Sequence, residues 1–201
     1  MATLPDKAFD LAIVDPPYGI SGKDGKIKKM IDWGTNTRLH HLDKTWDTNI
    51  PNADYFIELF RVSKDQIIWG GNYFINYLYA SRGIIAWDKM NGTNDASDFE
   101  FAWTSFNVPA RMFRHHHFSG VGTFHYTSIH PTQKSVAIYK WLLKNYATPD
   151  MRIIDTHLGS GSSAIAAYDF GCEFVGCEID ADYYAAALKR FNIHKMQTKL
   201  F

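Results

Sequence analysis

Asp15-Pro16-Pro17-Tyr18 sets a carboxylate, two rigid imino acids and a phenol ring side by side. An exocyclic amino group on a nucleobase is a poor nucleophile, because its lone pair is delocalised into the ring. Two acceptors aimed at its hydrogens draw the nitrogen toward sp3 and free that pair. The Asp15 carboxylate can be one acceptor and the Pro16 carbonyl the other, with Pro16 and Pro17 stiffening the backbone. Tyr18 offers a face on which an extruded base can stack. Such stacking contributes about 1–3 kcal/mol, comparable to the few kcal/mol that extrusion costs. The tetrapeptide can therefore both hold and activate a flipped base; the plainer alternative is a proline-rich turn after a strand.

A second constellation lies near the other end of the chain. Asp155-Thr156-His157-Leu158-Gly159-Ser160-Gly161 joins an apolar run to an Ala-rich one. Glycines let backbone approach a ligand closely, and a helix N-terminus offers free N–H groups. Twenty-three residues after Asp155, the next apolar run ends at Glu178, where a carboxylate can take both hydroxyls of a ribose. The third glycine of a dinucleotide fingerprint is missing, and no Gly-Lys-Ser/Thr follows. A nucleoside cofactor without a pyrophosphate fits better, and an ordinary strand-to-helix turn remains the alternative.

The elements that must position these groups follow from periodicity. Residues 9–14 are a short apolar run stopped at the prolines, which predicts a buried parallel strand. Residues 19–51 are polar and without period, a loop long enough to suggest a mobile functional segment. Helical spacing of Tyr55, Phe56, Leu59 and Phe60 predicts a helix over 53–62. Strands are expected at 66–69 and 83–87, and a more exposed one at 100–106, with no clear period over 107–130. A helix is predicted from Pro131 to Tyr146, with the proline in its first turn. A strand at 152–155, an Ala-rich helix ending at Gly171, a strand at 173–179 and a helix capped by Asp180 through about Lys195 complete the chain. Strands alternating with helices argue an α/β fold with a doubly wound, mostly parallel sheet. Ligands in such sheets bind at the carboxyl ends of neighbouring strands, so Asp15 and Asp155 meet if their strands are adjacent.

Composition bounds the reading. The 201 residues are 46% hydrophobic, which is globular rather than disordered, and the length suits one domain spanning 1–201. No apolar run approaches the roughly 18 residues of a membrane span, and residues 1–7 show no signal pattern. A cytoplasmic protein of bacterial or phage type is expected. Cys172 and Cys177 are an odd number of residues apart and would point to opposite faces of a shared strand. They are read as two buried small hydrophobes in a reducing compartment.

Together these motifs resemble the permuted "beta" group of DNA amino-methyltransferases, in which the Asp-Pro-Pro-Tyr motif comes first and the Gly-rich loop last. The similarity extends through Ile68-Trp69-Gly70-Gly71-Asn72-Tyr73-Phe74, Trp87-Asp88-Lys89, Glu100-Phe101-Ala102-Trp103, His130-Pro131-Thr132-Gln133-Lys134 and Glu178-Ile179-Asp180. The resemblance implies a Rossmann-like methyltransferase fold with S-adenosylmethionine as cofactor. It implies that Asp155, Gly159 and Gly161 line the donor's methionine part, with His157 and Ser160 in the same loop. Glu178 would hold the ribose, and Thr132 and Lys134 would reach the carboxylate end. Asp15, Pro16, Pro17 and Tyr18 would form the catalytic loop. Transfer would run in line from sulfonium to nitrogen, needing no metal. The chain departs from the family at Thr156-His157, where Pro-Phe is usual, and in a short target-recognition segment at 104–129. The strand often found before the catalytic one is expected to be absent.

Zero net charge, from 21 basic and 21 acidic residues, at first argues against a nucleic-acid binder. Divided along the chain it does not. Residues 101–149 contain no Asp or Glu and carry five basic residues and five histidines, so the remainder sums to −5. Arg111, Arg114 and His115, with Lys23, Lys26, Lys28 and Lys29 in the long loop, are the expected contacts to double-stranded DNA, because phosphate attraction needs local charge. Consecutive His115, His116 and His117 do not share a face, and no metal site is expected. Asp at the head of the tetrapeptide leans toward adenine N6. Cytosine N4 remains an alternative, as does a non-catalytic DNA-binding module that kept the fold. The small recognition segment suggests help from a second copy in a homodimer, and nothing in the sequence bears on a nuclease partner.

Overall fold

The computed structural model describes residues 1–20, 47, 49–91, 97–116 and 128–197. A seven-stranded sheet carries the site. Its strands are β1 (Phe9–Val14), β2 (Ser63–Trp69), β3 (Ile84–Asp88), β4 (Phe99–Thr104), β5 (Arg111–Arg114), β6 (Arg152–Asp155) and β7 (Glu173–Gly176). They lie in the order β5-β3-β4-β2-β1-β6-β7. Only β4 runs antiparallel to its neighbours. The carboxyl ends of the other six and the start of β4 therefore share one edge of the sheet.

β1 is central because it is apolar on both faces. Leu11 and Ile13 join one core layer, with Ile67, Trp69, Ile85, Trp87 and Ile153. Phe9, Ala12 and Val14 join the other, with Ile68, Trp103 and Ile154. Helix α1 (Ala53–Val62) covers the second layer with Phe56, Leu59 and Val62. Helices α2 (Val136–Tyr146) and α3 (Ser162–Phe170) cover the first, through Ile138, Leu142, Leu143, Ala166 and Ala167. Helix α4 (Ala181–Met196) packs on α3 and buries only Tyr183 and Ala187. This is the expected doubly wound α/β arrangement. β1 pairs with β6 on one side and β2 on the other, so Asp15 and Asp155 do end neighbouring strands.

Four local expectations change. Helix α2 begins at Val136, not Pro131. Ser135 is its cap, its Oγ accepting the Ala137 N–H at 3.1 Å, while residues 130–133 form a separate turn closed by Gln133 N–H on the His130 carbonyl. β4 is not an exposed strand. It lies between β3 and β2, with Ala102, Trp103 and Thr104 buried. β5 falls in the segment without clear period, since three of its four residues are exposed and show no buried face. β7 ends at Gly176: the Cys177 N–H makes the last bond of the parallel ladder, to the Asp155 carbonyl, and the Cys177 carbonyl leaves the ladder to accept the Leu158 N–H. Cys177 is consequently exposed and Cys172 half-buried, so neither is the buried hydrophobe expected. No helix among the described residues is long and apolar enough to cross a membrane.

Candidate active site

Asp15 sits just past the end of β1, where the ladder stops and the prolines begin. Both its oxygens are engaged. Oδ1 accepts from the Tyr18 hydroxyl at 2.5 Å, and Oδ2 from the Lys134 ammonium at 2.5 Å. The Tyr18 ring stacks on Tyr73, with centroids 4.8 Å apart and planes within 13°. It also lies against Gly70, where a Cβ would collide with the ring. Gly70 has φ +70°, so two constraints demand glycine there. The Tyr18 and Gly19 N–H groups both donate to Asp47 Oδ1, at 2.7 and 2.9 Å, which pins the tetrapeptide to a residue almost thirty positions further along the chain.

Lys134 is 4% exposed and lies 3.1 Å from Glu100, which opens the buried part of β4. Glu100 in turn holds Lys89 at 2.7 Å. The Lys134 ammonium also stands 5.2 Å from the Trp69 ring centroid. Burial pushes the Asp15 carboxyl up, and Lys134 pulls it back. Burial alone would depress Lys134, but the Asp15 and Glu100 carboxylates outweigh it and hold it above the usual lysine value. Glu100 is destabilised by burial yet falls to about 2, because Lys134 and Lys89 face it. Lys134 and Glu100 are therefore both charged at neutral pH. The ammonium of Lys134 thus lies between the Asp15 and Glu100 carboxylates.

The other half begins at Asp155, which is buried at the end of β6. Its Oδ1 accepts the His157 N–H at 2.9 Å and its Oδ2 the Ser163 hydroxyl at 2.6 Å. Burial nonetheless raises its pKa to about 7. Gly159 and Gly161 have φ +51° and +74°, the left-handed region that opens the loop into α3. Glu178 follows β7, with Oε2 accepting Gly159 N–H at 2.8 Å and Oε1 accepting Asp180 N–H at 3.0 Å. One carboxylate thus ties the loop to the adjacent strand end. Such a set, a fixed carboxylate beside an open glycine loop, suits a ribose and the chain attached to it.

His157 is enclosed. The Tyr55 hydroxyl bonds Thr156 Oγ1 at 2.7 Å, Thr156 Oγ1 lies 3.0 Å from His157 Nδ1, and the Tyr55 ring meets the imidazole edge-on. Burial drops the imidazole to about 4, so it is neutral near pH 7. The Thr132 hydroxyl is engaged with His130 Nδ1 at 3.2 Å. The His130 ring in turn meets Tyr183 edge-on and lies alongside Gly159. Ser160 is buried, sharing a hydrogen bond with Ser162.

Of the expected DNA contacts, Arg111 and Arg114 are exposed on β5, held by Asn145 at 3.0 Å and Asp88 at 3.1 Å. His115 is half-buried, its Nε2 3.1 Å from Ser135 Oγ. Lys23, Lys26, Lys28 and Lys29 lie outside the described residues. Among the described residues no group of three His, Cys, Asp or Glu could hold a metal ion. Sequence reasoning missed Glu100, Lys89, Asp47, Tyr55 and Tyr73 as site residues. A visible signal existed for Glu100 alone, a charge inside the otherwise apolar run Phe99-Glu100-Phe101-Ala102-Trp103.

Residues 26–189 match the N6/N4 family model described as DNA methylase, and the chain belongs to that family. It is 23% identical to the DNA adenine methyltransferase YhdJ of Escherichia coli (strain K12) over 240 residues, covering 94% of this chain and 78% of YhdJ. Two solved structures share the fold. The M1.HpyAVI–SAM complex aligns at a TM-score of 0.58 and 18% identity, covering 92% of this chain and 90% of that one. The cytosine-N4-specific PvuII DNA methyltransferase aligns at 0.62 and 14%, covering 94% and 82%.

Proposed function

We propose that this DNA methylase transfers a methyl group from S-adenosylmethionine to adenine N6 of a base flipped out of double-stranded DNA. One observation carries the reading: Asp15 stands at the end of β1, directly beside β6, whose end begins the Gly-rich loop. The acceptor and donor halves are neighbours on one sheet edge.

When bound, S-adenosylmethionine supplies an electrophilic methyl on a sulfonium. Glu178 would take the ribose hydroxyls, and the loop from Asp155 through Gly161 would line the methionine part. The protein's own work is on the base. The Asp15 carboxylate and the Pro16 carbonyl accept the amino hydrogens and localise the nitrogen lone pair. A carboxylate oxygen has more than one lone pair, so Oδ1 can take an amino hydrogen as the Tyr18 hydroxyl shifts aside. The Tyr18 ring, backed by Tyr73, forms a stacking wall. Neutral His157, with Tyr55 and Thr156, walls the donor side without adding a second positive charge beside a sulfonium. Arg111, Arg114, His115 and the lysines of the long loop would contact the phosphate backbone. A second copy of the chain would extend the short recognition segment.

Asp at position 15 and the likeness to YhdJ favour adenine; the PvuII fold match keeps cytosine N4 as the second reading. Radiolabelled methyl transfer to unmethylated DNA, followed by nucleoside analysis, separates them. N6-methyladenine is expected. N4-methylcytosine would overturn the base assignment, and no incorporation into any DNA would favour a binding module.

A further inference from the structure

Asp15 has to be both ionised and oriented to accept an amino hydrogen, and its surroundings oppose the first. It is nearly buried, Glu100 on β4 is close enough to disfavour its charge, and Asp15 in turn disfavours the charge of Asp155 on β6. Tyr18, Tyr55 on α1 and Tyr139 on α2 face the same space as neutral phenols. Among the described residues the cation in contact with Asp15 is Lys134. Its reach is fixed at both ends. The ammonium is shared between Asp15 and Glu100, and the Lys134 carbonyl accepts the Ser162 hydroxyl at 2.7 Å, at the first residue of α3. Arg190 of α4 then holds both Ser162 Oγ and the Ser160 carbonyl at 2.9 Å. The residue that neutralises the acceptor is thus anchored to the start of the donor-side helix.

We propose that Lys134 is a positioning residue for the Asp15 carboxylate, steered by Glu100 and Lys89, and is not a ligand of the methyl donor. The assignment rests on the reading of Asp15 as the base acceptor. Glu100 gives the lysine a second partner on the β4 side, so the ammonium cannot swing toward the Gly-rich loop. Lys89 keeps Glu100 itself charged. The chain Lys89–Glu100–Lys134–Asp15 crosses from β3 through β4 to β1 along the sheet edge, and alternates in sign at every step.

The test compares Lys134→Met, Lys134→Arg and Glu100→Gln with the wild-type protein. Single-turnover methyl transfer is measured against pH, S-adenosylmethionine affinity by calorimetry, and the Asp15 carboxyl by carbon NMR titration without DNA. Lys134→Met should lower turnover by about 10²-fold, in the range for removing a preorganised electrostatic partner. It should move the acid limb and the Asp15 titration to higher pH, and leave donor affinity within twofold. Glu100→Gln should move the Asp15 titration the opposite way, because a neighbouring negative charge is gone. Lys134→Arg should keep the titration near wild type. Opposite shifts from two neighbours are not what general loosening produces, and Glu100→Gln carries the test if the methionine variant does not fold. A tenfold loss of donor affinity in Lys134→Met with an unmoved Asp15 titration would overturn the proposal. Failure of the underlying reading looks different: Asp15→Asn would then retain full activity, whatever Lys134 does.

Discussion

At the scale of single residues, the two halves of the site differ in how their carboxylates are held. Asp15 is held by side chains that a substrate can displace, whereas Glu178 is held by backbone N–H groups. Asp15→Ala should therefore lower turnover by about 10²–10³-fold and spare donor binding; single-turnover rates and calorimetry check both. Glu178→Ala should weaken donor binding at least tenfold and spare DNA binding, which donor calorimetry and a DNA gel-shift measure. Asp155 and His157 make a further pair. Asp155 is raised to about 7 by burial, so it stabilises the fold below about pH 4 and that contribution disappears as pH rises to 7. His157 is lowered to about 4 by burial, so its contribution is present above pH 6.5 and lost as pH falls toward 4. Between pH 4 and 6.5 the two slopes oppose each other. His157→Phe should unmask a stability that falls as pH rises through this window, and Asp155→Asn the reverse. Denaturant midpoints across pH 4–8 decide it, and parallel behaviour of the two variants would contradict the assignment.

At the scale of elements, legibility followed chemistry that is local. β1, α1 and β6 are legible in the sequence to within a residue, because apolar runs bounded by prolines, a cap and a charge leave little choice. The Asp15 loop and the Asp155–Glu178 pair were legible for the same reason. What was not legible depends on partners far along the chain. The central place of β4 arises from pairing with β2 and β3, which no period in six residues encodes. The start of α2 lies at the Ser135 cap, one residue after Lys134, whose partner Asp15 is more than a hundred positions away. Gly70 shows the same principle in one residue. Part of its need for glycine comes from the Tyr18 ring, more than fifty positions away, and part from its own positive φ. Gly70→Ala should displace that ring and destabilise the fold by about 1–3 kcal/mol, through a strained positive φ and the clash together. Thermal unfolding and the near-ultraviolet tyrosine signal report on the two effects.

At the scale of the whole molecule, the charge is segregated although its sum is zero. The basic residues of 101–149 include Arg111 and Arg114 on the edge strand β5, exposed and at the opposite end of the sheet from β7. Each is held by a neutral or singly charged neighbour, and phosphate can replace either partner. The double variant Arg111→Ala, Arg114→Ala should reduce the slope of log affinity against log salt by up to about 0.9 for each phosphate no longer neutralised. Fluorescence anisotropy at several salt concentrations measures it, and an unchanged slope would move the DNA surface elsewhere on the molecule.

The pairing of β1 with β6 joins residues near the start of the chain to residues near position 153. During synthesis β1 leaves the ribosome early, pairs with β2, and then waits with its other edge and much of its apolar surface uncovered. At about 5–20 residues per second, the β6 strand follows β1 after roughly seven to thirty seconds. The Asp15 loop is thus made long before the Asp155 loop beside it, in a nascent chain whose central strand is still an open edge. The order of motifs along this gene product sets a period of vulnerability during translation that the finished sheet conceals.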